Sequence, residues 1–190
     1  MPHRSPWTCI LWDVDGTIVD ASVGILRRLT VTLNHFGRTP PTRDDLVHWI
    51  GPPMHDTFQA TIGMTPDEAM DAVAFYRTLG KADGYATGAR LFDGVAELIT
   101  DIHAAGIPQA TASSKPEVQV AFLMDHFGLT ENFDTIVGAS VDERALSTKS
   151  EVLGEALNRL TAAGVNTSRP VLIGDRHHDI EGAADHGVPV

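Results

Sequence analysis

Trp7-Thr8-Cys9-Ile10-Leu11-Trp12 is an apolar run that stops abruptly at Asp13-Val14-Asp15-Gly16-Thr17. A short apolar run closed by turn residues reads as a fully buried strand. Such a strand belongs inside a parallel sheet that is covered on both faces. Its end carries two carboxylates one residue apart, and like charges at close range repel. A fold that keeps them must hold something that offsets the repulsion.

Further runs fit the same description: Pro108–Ala112, Asp134–Gly138 and Pro170–Gly174, with a fifth strand expected to begin at Gly187–Val190. Helical patterns separate them. Asp93–Ala105 has Asp93 as its expected N-cap. Pro116–Phe127 has Pro at the first helical position and Ser114 with Glu117 as a capping box. Thr148–Ala163 opens on a second box, Thr148 with Glu151. Strands alternating with helices of this length predict an α/β fold, a Rossmann-like parallel sheet flanked by helices.

Residues 21–85 break the alternation. They read as helices only: Val23–Phe36, Arg43–Trp49, His55–Thr61 and Pro66–Gly80, the last opened by a Thr65/Glu68 box. The expected organisation is an α/β core from residues 1–20 and 86–190, with an all-helical cap inserted between them. A cap in this position suits a lid.

Charge narrows the partners. The net charge is −11, and 14 Lys and Arg are scattered along the chain, so neither a nucleic-acid polymer nor an anionic membrane is an expected partner. A small anion remains compatible, because a metal ion and one Lys reverse the sign locally. No stretch approaches the roughly 18 apolar residues of a membrane span. The N-terminal residues lack an apolar signal region, and the single cysteine, Cys9, has no internal disulfide partner. A reducing cytoplasm is the expected location. Oligomeric state is not legible here.

Three readings compete for Asp13-Val14-Asp15-Gly16-Thr17. One is a plain turn. The second, an EF-hand, fails: counting from Asp13, the position that needs Gly is Ile18 and the position that needs Glu is Gly24. The third is a phosphoryl-transfer site, in which one carboxylate attacks phosphorus, the other moves the proton, and Mg²⁺ relieves their repulsion. It calls for further parts at the carboxyl ends of neighbouring strands. The chain has them. Val171-Leu172-Ile173 ends in Gly174-Asp175, and Asp179 lies four residues on, where a helical turn shares the face. Ser113 falls where a strand runs into a helix start, an anion-binding geometry, whereas Ser114 is expected chiefly to cap the helix. Lys149, just inside a helix start, is the expected cation. Its rival Lys115 is expected to point outward. Zinc at His177-His178 is disfavoured, because adjacent helical residues diverge and no third ligand stands at suitable spacing. Met54 is expected to pack. His55 has two open readings, packing or contact with a leaving group.

Taken in order, Asp13-Val14-Asp15-Gly16-Thr17, Ser113, Lys149 and Gly174-Asp175…Asp179 resemble the four motifs of the haloacid dehalogenase superfamily. The helical insert resembles the cap of its phosphoglycolate phosphatase-like branch, as does Ile50-Gly51-Pro52-Pro53-Met54. Gly174–Ala183 is similar to 5′-nucleotidase-like members. The resemblance implies residue roles. Asp13 is the nucleophile, and Asp15 is the general acid/base that also gives Mg²⁺ its backbone carbonyl. Asp175 is a metal ligand with Asp179 supporting it. Ser113 holds a phosphate oxygen, with Thr17 and Ser114 beside it, and Lys149 pairs with phosphate and nucleophile. It also implies Mg²⁺-dependent hydrolysis of a small phosphorylated metabolite (phosphoglycolate, a nucleoside 5′-monophosphate or a sugar phosphate) through an aspartyl phosphate. The second acid, Asp15, favours phosphate esters over dehalogenation, whose leaving group needs no proton. A β-phosphoglucomutase-like mutase and a degenerate paralogue without turnover stay open. Relatives continue through a further strand and helix, so the core is expected to break off within its last strand and leave an open sheet edge.

Overall fold

The computed structural model describes residues 5–50, 54–141 and 146–190. In chain order the elements are β1 (Cys9–Trp12), β2 (Val19–Asp20), α1 (Ser22–His35), α2 (Arg43–Val47), α3 (Met54–Ile62), α4 (Pro66–Asp83), β3 (Arg90–Leu91), α5 (Val95–Ala104), β4 (Gln109–Thr111), β5 (Ser113–Pro116), α6 (Glu117–His126), β6 (Gly138–Ala139), α7 (Lys149–Ala162), β7 (Pro170–Ile173) and α8 (His177–Ala184). They fall into two compact units. One comprises the described residues of Met1–Val19 and Leu91–Val190, the other Asp20–Arg90. The cap-loop resemblance at residues 51–53 lies outside the described residues.

The first unit is the mixed α/β body. β1 is buried along its whole length because it lies between β4 and β7, in the order β4-β1-β7, parallel to both. Trp12 stands opposite Thr111 on one side and Ile173 on the other. The ladder runs one step further on each side. Ala112 N donates to Trp12 O at 2.7 Å, and Asp13 N donates to Ile173 O at 2.9 Å. This register brings Asp13, Ser113 and Asp175 to the same, carboxyl end of the sheet. Cys9, Leu11, Ala110 and Leu172 pack with Val152, Leu153, Ala156 and Leu160 of α7 in one core. The buried polar groups of the sheet are paired, as burial requires. Trp12 Nε1 donates to Gln109 Oε1 at 2.9 Å, and the Gln109 amide donates to Ile99 O at 2.9 Å.

Several local readings change. Asp134–Gly138 is not a continuous strand: Thr135 makes a single bridge to Ala110, and only Gly138–Ala139 pairs further, with β5. The Thr111 hydroxyl explains the gap. It accepts from Val137 N at 2.8 Å, taking the N–H a ladder would use, and donates to Val137 O at 2.9 Å, which also accepts from Ser113 N at 3.3 Å. Gly187–Val190 forms no strand; Pro189 O accepts from Leu172 N at 2.9 Å, but a proline has no N–H to return. α5 starts at Val95, with Gly94 as N-cap in the left-handed region (φ 78°), not Asp93. The boxes at Thr65/Glu68 and Thr148/Glu151 form with both bonds. The Ser114/Glu117 box does not. Ser113–Pro116 is drawn into the β5–β6 pair, Pro116 becomes the N-cap of α6, and the Glu117 carboxylate goes instead to Arg159 at 3.0 Å.

The second unit is helical, apart from the paired ends of β2 and β3, where Asp20 and Arg90 form an ion pair at 3.1 Å. α1 buries Ile25, Leu29 and Leu33, spaced one turn apart on one face. α3 and α4 bury Phe58, Ala69, Ala72 and Val73, and Trp49 meets Phe58 edge-on with centroids 6.1 Å apart. Among the described residues no helix is long and apolar enough to cross a membrane.

Candidate active site

The carboxyl end of the sheet collects charge in a confined space. Asp13 and Lys149 are 7% and 6% exposed. Lys149 is the first residue of α7, and its Nζ lies 2.5 Å from Asp13 Oδ1, 2.8 Å from Asp179 Oδ1 and 2.8 Å from Ala112 O. The ammonium donates hydrogen bonds to Asp13 Oδ1 and Ala112 O, and Asp179 Oδ1 meets it as an ion pair without a hydrogen bond. The conflict of a cation with the positive end of a helix is offset by two carboxylates. Burial is the largest influence on Asp13; Asp179 and Asp15 act the same way, Lys149 opposes them, and the Asp13 pKa is pushed up to about 6. Burial works against the Lys149 ammonium, but Asp13 and Asp179 outweigh it and hold the Lys149 pKa above its ordinary value.

Asp179 sits in the first turn of α8, almost fully buried. Its Oδ2 accepts from Asp175 N at 3.1 Å and Arg176 N at 2.9 Å, a capping arrangement that fixes the Gly174-Asp175 turn. Asp13, Asp175 and Asp179 each offer a carboxylate oxygen, all within 4.8 Å of one another. An all-oxygen donor set of this kind fits a hard divalent cation such as Mg²⁺.

Asp15 faces a different cation. Its Oδ2 pairs with Lys115 Nζ at 2.8 Å, and its Oδ1 is buried with no hydrogen-bond partner among the described residues. Lys115 therefore turns inward, contrary to the sequence reading. It does so because Ser113–Pro116 is strand and not a helix cap. Ser113 is buried, and its Oγ accepts from Lys115 N at 3.3 Å. Thr17 Oγ1 donates to Asp175 Oδ1 at 3.4 Å. Ser114 is half-buried. His55 belongs to the helical unit, on α3, where its ring contacts Gln59 Nε2 at 3.0 Å; its phosphate role rests on the sequence alone. His177 is exposed, and burial holds the neighbouring His178 below its usual pKa.

Two glycines make the crowding possible. Gly16 has φ 96°, and a Cβ there would lie 2.3 Å from Asp175 Oδ2. A Cβ at Gly182 would lie 2.8 Å from both Lys149 Cγ and Ser150 N. Gly182→Ala is expected to cost about 1–3 kcal/mol by overpacking, read as a fall in the urea midpoint without change in slope. An unchanged midpoint would mean that the α7–α8 contact yields freely. The sequence reading had Gly16 only as part of the first motif, gave Gly182 no role, and missed the Lys115–Asp15 pair. A glycine one turn beyond Asp179 on the same helix was the only available signal, and a weak one.

A buried Asp–Lys pair at the end of a central parallel strand, with two more carboxylates in the turn and helix that follow the neighbouring strand β7, is the arrangement of the haloacid dehalogenase-like hydrolases. The chain belongs to that family, whose pattern matches residues 10–190. It is 38% identical, over 98% of its length, to the tyrosine-protein kinase PtkA of Mycobacterium tuberculosis, and spans 62% of that protein. It is 34% identical to a 5′-nucleotidase of Pseudomonas aeruginosa, over 94% of this chain and 79% of that one. Among solved structures, a "predicted phosphatase" from Clostridium acetobutylicum superposes with a TM-score of 0.88 at 30% identity, covering 97% of this chain and 83% of its own.

Proposed function

We propose that the chain is a Mg²⁺-dependent phosphomonoesterase that hydrolyses a small phosphorylated metabolite through an aspartyl phosphate on Asp13. The observation that carries this reading is the Lys149–Asp13 contact beside Asp175 and Asp179 at one sheet end. Lys149 holds Asp13 as a carboxylate at neutral pH with one oxygen free to attack phosphorus. The P–O bond to the leaving group breaks as the Asp13 oxygen–phosphorus bond forms, and Asp15 gives the leaving alkoxide its proton. Asp15 then takes a proton from water, which attacks the phosphoryl group and frees Asp13. Ser113 and Lys149 hold phosphate oxygens. The cation would be held by Asp13, the Asp15 carbonyl and Asp175. Both Asp179 oxygens are engaged by Lys149 and backbone N–H groups, so Asp179 is assigned the supporting place. When bound, the cation neutralises charge on the phosphate oxygens. The substrate field comprises phosphoglycolate, nucleoside 5′-monophosphates and sugar phosphates, and residues 21–85 are assigned to the cap.

The test is phosphate release from a panel of monophosphates with and without Mg²⁺. Release that depends on the metal supports the reading, and metal-independent release rejects it. Isomerisation of a sugar phosphate without net release would point to the mutase alternative.

A second reading is favoured by the 38% identity to a protein named a tyrosine-protein kinase. In it, the final acceptor is a tyrosine hydroxyl and not water. Incubation with ATP and a tyrosine peptide separates the two: phosphotyrosine supports the second reading, and free phosphate alone supports the first.

Asp13 also predicts how pH and metal interact. Its folded-state pKa is raised from 3.8 to about 6. A raised acid favours the fold when protonated, so that contribution is full below pH 3.8 and is lost as pH rises through about 6. Above that range the ionised Asp13 is open to a cation; below it, the proton competes. The rise in Tm on adding Mg²⁺ is expected to be largest near about pH 7.5 and to vanish towards about pH 5. An increment that stays constant across this range would remove Asp13 from the metal site.

A further inference from the structure

Each carboxylate at the sheet end has a cation beside it. Lys149 is committed to Asp13 and Asp179, and Arg176 Nε lies 3.2 Å from Asp175 Oδ2. Asp15 has Lys115, whose Nζ lies 2.8 Å from Asp15 Oδ2, with the Lys and Asp side chains 10% and 13% exposed. Such enclosure limits the screening and side-chain freedom that make surface pairs weak. The two oxygens of Asp15 differ. Oδ2 takes the ammonium, whereas Oδ1 is buried without a hydrogen-bond partner among the described residues. A buried polar atom left unpaired is costly and calls for a use.

The backbone of Lys115 is fixed from two directions. Its N–H donates to Ser113 Oγ at 3.3 Å. β5 runs beside β6, with Ser113 opposite Gly138 and Pro116 opposite Ala139. A Cβ on Gly138 would lie 2.5 Å from Lys115 O, so the glycine is what lets the two strands close at this point. The Ser113 hydroxyl, accepting from Lys115 N, keeps its own proton for another acceptor.

We infer that Lys115 is a positioning residue for the hydrolysis proposed above: it holds Asp15 by Oδ2 and leaves Oδ1 as the oxygen that moves the proton. Oδ1 gives a proton to the leaving oxygen as the P–O bond breaks. It takes one from water as that water attacks the aspartyl phosphate. The inference rests on the phosphatase reading and adds to it which oxygen of Asp15 reacts and what holds it there.

The test compares kcat/KM for the best alkyl monophosphate of the panel with kcat/KM for p-nitrophenyl phosphate. This constant covers events up to departure of the leaving group, so the second step, common to both substrates, does not enter. An alkoxide needs the Asp15 proton to leave, and p-nitrophenolate does not. In Lys115→Met the alkyl value is expected to fall about tenfold or more while the aryl value changes little. Lys115→Arg, which keeps the charge, is expected to restore most of the difference, and Lys115→Gln replaces the Met variant should that not fold. An equal fall for both substrates, or no fall for either, overturns the inference and leaves the phosphatase reading standing. No release from any substrate by the wild type rejects both. A second readout needs no turnover: the Tm changes of Lys115→Met and Asp15→Asn, measured singly and together without metal, are expected not to add. Additive changes would mean that the two side chains do not meet, and they too overturn the inference.

Discussion

Lys149→Met is expected to cost the fold about 3–5 kcal/mol, the penalty for leaving a buried charge without its partner. The wild-type ammonium pairs with Asp13 and Asp179 and donates to the Ala112 carbonyl. Without it, two buried carboxylates face each other with no cation between them, and like charges then disfavour ionisation of both. The loss should be visible in urea unfolding at neutral pH. It should shrink under two conditions, acid pH and millimolar Mg²⁺, because a proton or a dication can take the place of the lysine. A loss that neither condition reduces would mean that Lys149 acts through its aliphatic stem and not through its charge.

Asp13→Asn is the second large effect, and its two readouts move in opposite directions. Phosphate release should fall by about three orders of magnitude or more, because the amide cannot form the acyl phosphate. Stability without metal should hold or rise, since the buried carboxylate, whose pKa burial pushes up to about 6, is replaced by a neutral group of the same shape. Lost activity together with a lower Tm would place Asp13 among the residues that build the sheet end, and its chemical role would then need independent proof.

The central architecture was legible because it depends on short-range chemistry. An apolar run ending in Asp13 reads as a buried strand wherever it occurs, and Thr65/Glu68 and Thr148/Glu151 announce helix starts that form as read. The same rule failed at Ser114/Glu117 for a reason no local pattern carries: Arg159, some forty residues away in the chain, competes for Glu117. The misreading of Lys115 followed from it. Once Ser113–Pro116 pairs with Gly138–Ala139, Lys115 turns towards Asp15. The gap at Asp134–Gly138 has a similar origin, since Thr111 offers its hydroxyl where a backbone partner was expected.

The claim on which the account rests is that phosphate leaves the substrate in two in-line displacements with Asp13 between them. The stereochemical course tests it directly, whatever the lifetime of the intermediate. A monoester made chiral at phosphorus by sulfur and oxygen isotopes is hydrolysed in water labelled with the remaining isotope. Retention of configuration is the predicted result, since two inversions cancel. Inversion would show that water attacks the substrate directly and would remove Asp13 from the role assigned to it.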